Sequence, residues 1–115
     1  MNRHLFQPWL SMVAILLLAT FLRIYQLEAI PNGLIEDEAM RGYDAYALAK
    51  TGADSFGVRW PLFLRSFDDY TPALYSYLSA PFMASIGLSA FSTRLASAVV
   101  GIVTVALSFQ LIRRA

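Results

Sequence analysis

The chain of 115 residues has no cysteine and one histidine, His4. No disulfide and no thiolate metal site can form, and neither a histidine-based triad nor a histidine-rich metal centre can be built from this chain alone. Charge is scarce too: 15% of residues are charged, and the net charge is +1. The basic residues are scattered, without the clustered stripe that binds a polyanion, so no nucleic acid is expected as a partner. What is abundant is apolar, with 57% hydrophobic residues and a mean hydropathy of +0.52. Soluble domains hold roughly half apolar and about a quarter charged residues. The composition is that of a membrane protein with polar loops.

Two stretches lack charge almost entirely. The first runs from Trp9 to Leu22 and ends at Arg23; extended over 7–25, it reaches the length of a transmembrane helix. Trp9 and Tyr25 lie near its two ends, as interfacial aromatics do, and Arg23 can snorkel to the headgroups. No small-residue cleavage pattern follows it, which favours an uncleaved anchor over a signal peptide. The second covers 95–112 between Arg94 and Arg113-Arg114. Its small residues Ala96, Ala98, Gly101, Ala106 and Ser108 suit close helix packing. Arg3 and Arg113-Arg114 place both termini in the cytoplasm, although Arg23 argues the other way. The expected fold class is therefore an all-α membrane protein: two transmembrane helices joined by a long outer loop over 26–94. The chain ends just past an apolar run, so residues 1–115 are expected to be the N-terminal segment of a larger membrane domain.

The loop carries the informative residues. After the turn Pro31-Asn32-Gly33, three carboxylates in a row, Glu36, Asp37 and Glu38, open a helix expected at about 37–50. Asp37 is the expected N-cap, Lys50 lies in the last turn, and Gly52 suits a left-handed stop. Asp37 and Arg41, or Arg41 and Asp44, have pairing distance along a helix. Met40, Tyr43 and Ala47 form a stripe with Tyr46 beside it, so this helix should lie on the membrane with its aromatic face down. Residues 51–69 read as loop, with a short extended piece within 58–67. Asp68-Asp69 precede a second juxtamembrane helix, about 72–87, capped by Thr71 with Pro72 at its first position and kinked at Pro81. The cap of the last helix is expected at Ser92 or Thr93. A hairpin of two spans over 73–112 is the rival arrangement; Pro81 and the serines disfavour it.

Carboxylates at the outer face of a membrane suit one kind of chemistry. In glycosyl transfer from a lipid-phosphate sugar, the acceptor hydroxyl must lose a proton as it attacks the anomeric carbon. The departing phosphate must be met by positive charge, from arginine or a metal. Arg41, Arg59, Arg65 and Arg94 all lie in the loop. No cofactor is required by the residues; a divalent metal ion is one option, and the sequence leaves metal dependence open.

An ordered set of residues runs through the chain. It contains Arg23-Ile24-Tyr25 with Leu27, Ile30-Pro31 with Gly33, Asp37-Glu38-Ala39, Gly42-Tyr43 with Ala45-Tyr46, Thr51-Gly52 with Asp54, Pro61-Leu62, Ser66-Phe67 with Asp69-Tyr70 and Pro72, Tyr75, Tyr77-Leu78, Pro81-Phe82, Gly87-Leu88 and Arg94-Leu95. The set resembles the N-terminal part of bacterial integral-membrane glycosyltransferases of the protein O-mannosyltransferase family (glycosyltransferase family 39), relatives of aminoarabinose transferase. The resemblance covers nearly the whole chain after the first few residues. It implies a C-type glycosyltransferase fold in the bacterial cytoplasmic membrane, with a first outer loop bearing two juxtamembrane helices. It implies a polyprenyl-phosphate-linked sugar donor, membrane lipids as surroundings, and a protein, lipid or glycan acceptor. The family's Asp-Glu pair falls on Asp37 and Glu38, with Asp37 as catalytic carboxylate; Asp69, Arg41 and Tyr70 become candidates for substrate binding. Pro72-Ala73 stands where relatives often have Pro-Pro, and Asp68 where Gly is common. The later helices that complete a donor site are absent, so the segment alone should be inactive.

Simpler readings accompany each of these. Asp37 could serve only as a helix cap, Glu36 as a solvated charge, and the tyrosines as interface anchors. At the level of the whole chain, the alternative is a small two-span membrane protein acting as a binding or scaffold subunit.

Overall fold

The computed structural model describes residues 8–115. The expectations for Arg3 and His4, and for residue 7 as the start of the first span, lie outside the described residues. Along the chain run α1 (Pro8–Ile24), α2 (Glu36–Thr51), β1 (Phe63–Ser66), β2 (Asp69–Pro72), α3 (Leu74–Ile86) and α4 (Ala90–Arg114). The chain divides into two compact units, one of residues 1–25 with 97–115, the other Gln26–Ala96.

The described residues of the first unit are apolar helix. Among the described residues, α4 is long and apolar enough to cross a membrane, with 25 residues and a mean hydropathy of 2.2 over its best window. At about 1.5 Å per residue it exceeds a hydrocarbon core of about 30 Å. The 17 residues of α1 fall short of that length, so among the described residues one helix meets the requirement where two spans are expected. Arg23 does not simply reach outward. Its Nη1 donates to the Ala19 carbonyl at 3.4 Å, and its side chain lies over Gly101, where an added Cβ would stand 2.5 Å from Nε.

The second unit is built around α2 packed on α3. The stripe of Met40, Tyr43 and Ala47, expected to face the membrane, stays off the face that packs on α3. Gly42, Ala45 and Leu48 are buried instead, and Tyr43 is exposed. Small residues win this face because α3 offers Ser76, Ser79 and Met83 in return, which lets the two backbones approach closely. Ser76 Oγ donates to the Arg41 carbonyl at 3.1 Å across that contact. Asp37 is not the cap of α2. The helix begins one residue earlier, with Ile35 at the N-cap, and the Ile35 N–H donates to Glu38 Oε2 at 3.3 Å. Its end is as expected of glycine: Gly52 has φ 71° and donates its N–H to the Leu48 carbonyl.

Residues 63–72 correct the all-α expectation. β1 and β2 form an antiparallel hairpin pairing Phe63 with Pro72, Leu64 with Thr71, Arg65 with Tyr70, and Ser66 with Asp69. Thr71 and Pro72 therefore belong to a strand rather than to a helix cap, and α3 starts at Leu74. The turn at Phe67-Asp68 uses a phenylalanine at φ 52°, a left-handed conformation that β-turns usually give to Gly or Asn. α3 runs through Pro81 without a break. α4 starts five residues before expected, and its cap is Ser89: Ser92 N–H donates to Ser89 Oγ at 3.1 Å while Ser89 N–H donates to Ser92 Oγ at 2.9 Å. That reciprocal pair satisfies two N–H groups that a helix start leaves open.

Candidate functional site

Arg94 holds the acidic turn in place. It sits in the opening turns of α4 and is only 6% exposed. Its Nη1 donates to the carbonyls of Leu27 and Pro31, each at 3.0 Å, and to Glu28 at 3.4 Å. Its Nη2 donates to the Gly33 carbonyl at 2.6 Å and to Glu38 Oε2 at 3.2 Å, and Nε donates to Glu38 Oε1 at 3.4 Å. Guanidinium has five N–H donors in a fixed fork, so this set of partners occupies the whole head. The irregular chain from Leu27 to Gly33 has few backbone partners of its own. Four of its carbonyls are gathered by one buried cation instead.

The Asp-Glu pair is thereby divided. Glu38 takes a two-pronged ion pair from Arg94 and also accepts from the Ile35 N–H. Asp37, one residue away, is exposed and has no hydrogen-bond or ion-pair partner among the described residues. It sits in the first helical turn, where backbone N–H groups point toward an incoming anion. The expected pairing of Arg41 with Asp37 or Asp44 is not formed. Arg41 is an exposed cation one turn along α2, and Asp44 turns inward.

The hairpin that carries the second acidic cluster touches α2. Ser66, the register partner of Asp69, has its Oγ 3.7 Å from Met40 Sδ, three residues beyond Asp37. Successive strand residues face opposite sides, so Asp69 shares the α2-facing side with Ser66. Tyr70 points to the other side with Arg65 and Phe63. The two neighbouring candidates Asp69 and Tyr70 are thus separated by the pleat. Asp69 remains exposed, with its Oδ1 taking the N–H of Tyr70 at 2.7 Å. Beside the acidic turn, a mostly apolar hollow of about 470 Å³ is lined by Leu34, Ala39, Met40, Tyr43, Leu88 and Thr93, among others.

Three supports escaped the sequence reading. Asp44 is buried and accepts from Ser55 N–H at 3.0 Å and from Ser55 Oγ. Asp54 closes the following turn, its Oδ1 accepting the N–H groups of Phe56 at 3.0 Å and Val58 at 2.8 Å. The pattern Asp54-Ser55-Phe56-Gly57 was a readable signal for it, since Asp side chains bond the backbone two residues on. Tyr77 is pinned through its hydroxyl to the Pro61 carbonyl at 2.7 Å and stacks on Trp60, ring centres 6.5 Å apart. No local signal announces that contact.

Among the described residues, no three His, Cys, Asp or Glu side chains gather closely enough to hold a metal ion. Comparison with family models, with curated proteins and with solved structures returns no match.

Proposed function

We propose that this chain is the N-terminal segment of a membrane glycosyltransferase that moves a sugar from a polyprenyl-phosphate donor to a hydroxyl acceptor. In this reading Asp37 is the general base. It takes the acceptor's proton as the oxygen bonds to the anomeric carbon, and the phosphate leaves with the electrons of the broken bond. Arg41 suits the phosphate: it is exposed, one turn from Asp37, and its charge is uncommitted. Arg94 drops out of that role because its donors are spent on the chain, and Arg65 lies over the Phe56 ring at 5.3 Å. Glu38 acts through position, tying the turn to Arg94, and Asp69 borders the same side of α2. The membrane setting, with two spans, cytoplasmic termini and residues 26–94 outside, is part of the proposal; α4 supports it by length and composition.

One observation carries the reading: an unpaired, exposed carboxylate stands on a turn whose neighbouring carboxylate is locked by a buried arginine. A catalytic base needs such a mounting, free at its oxygens and fixed at its backbone. The test is Asp37→Asn in the complete membrane protein. Sugar transfer should be lost while membrane insertion and folding stay unchanged. Full turnover by that variant would end the assignment of Asp37 as the base; a complete protein that transfers no sugar at all would leave the scaffold-subunit reading in its place.

A further inference from the structure

The segment between α2 and α3 exposes apolar side chains on a scale that a water-facing surface does not sustain. Leu62 is 80% exposed, Trp60 69%, Leu74 68%, and Phe63 and Phe67 60% each. Soluble proteins keep contiguous exposed apolar patches to a few hundred Å². The register of the hairpin sorts these residues. Leu64 is buried on the α2 side, whereas Phe63, Arg65, Tyr70 and Pro72 share the opposite side. From Ser55 to Phe67 the charges are Arg59 and Arg65, both basic and both exposed. The segment thus exposes tryptophan, phenylalanine, tyrosine and leucine with arginine; of its two exposed carboxylates, Asp69 lies on the Leu64 side by register and Asp68 sits in the turn. That mixture suits the headgroup boundary of an anionic bilayer, where aromatics anchor and arginine meets lipid phosphate. The same chain carries α4, so a bilayer is an apolar phase within its reach.

We infer that the exposed apolar side chains of the 56–74 segment, with Trp60, Leu62, Phe63 and Tyr70 as its anchors, seat in the headgroup region of an anionic lipid bilayer. The inference does not depend on any sugar-transfer activity.

The absence of cysteine makes the test clean. Spin labels are placed at Leu62→Cys, Phe63→Cys and, as control, Lys50→Cys in the full 115-residue chain. The chain is reconstituted into vesicles of phosphatidylcholine with phosphatidylglycerol. All three positions are exposed, so the fold should tolerate them. Labels at 62 and 63 should collide more with dissolved oxygen than with a water-soluble nickel chelate, and the label at 50 should show the reverse. Labels at 62 and 63 that meet nickel as freely as position 50 would overturn the inference. So would labels shielded from both reagents, which would mean a protein cover. The pair Arg59→Gln with Arg65→Gln should make position 63 shallower; unchanged immersion would overturn the headgroup pairing.

Discussion

Arg94 and Glu38 are 56 residues apart in sequence, yet they form a two-pronged ion pair, Nε to Oε1 at 3.4 Å and Nη2 to Oε2 at 3.2 Å. Because Arg94 also collects four carbonyls, the pair joins the start of α4, the start of α2 and the irregular chain that leads into α2. Removing one partner of a buried charge pair leaves the other uncompensated. Arg94→Ala is therefore expected to destabilise the second unit by about 2–4 kcal/mol, and Glu38→Gln by about 1 kcal/mol because Glu38 is partly solvated. Hydrogen exchange reads this directly. Residues 27–38 should lose protection first in Arg94→Ala, and even loss across α3 would contradict the anchor.

Asp37 makes no contact that folding depends on. Asp37→Asn should shift thermal stability by no more than about 0.5 kcal/mol, the usual range for an exposed site. A larger loss, seen in a denaturation midpoint, would move Asp37 from chemistry to structure.

Gly42 lies against Thr93. A Cβ added there would stand 2.5 Å from Thr93 Oγ1 and 3.1 Å from its methyl. Gly42→Ala should gain about 1 kcal/mol in helix propensity but lose about 1–3 kcal/mol to overpacking. A net loss follows in the natural background. In a Thr93→Ala background the clash is gone and the same substitution should stabilise. This change of sign in a double-mutant cycle is the measurement.

Asp44 is 3% exposed and satisfies the Ser55 backbone and hydroxyl together. Asp44→Ala strands the Ser55 N–H and should cost about 1–3 kcal/mol. Ser55→Ala keeps the backbone bond and should cost less. Equal losses in the two variants would argue against the backbone bond as the larger contribution.

Much of this was readable without coordinates, and the failures share a cause. Gly52 stopped its helix because left-handed geometry is a property of one residue. The apolar run after Arg94 became a long helix because composition alone disfavours an exposed loop there. The extended piece within 58–67 is legible and forms β1, but its pairing with β2 is not, because the turn has Phe67 where Gly or Asn would signal it and Thr71-Pro72 imitates a helix start. The packed face of α2 has no stripe of large apolar residues to announce it in the sequence. The partner helix preferred Gly42 and Ala45, which let it come closer.

By itself, the sequence determined the helical and apolar character of the chain, the place of its carboxylates beside a turn, and the improbability of thiol or histidine chemistry. These follow from residue type and spacing, which act over one or two turns. Only the tertiary structure decided that Glu38 is bound and Asp37 free, that Arg94 is an anchor, and that Asp69 and Tyr70 face apart. Those outcomes depend on groups brought together across dozens of residues by packing, and a linear pattern holds no record of which partner arrives.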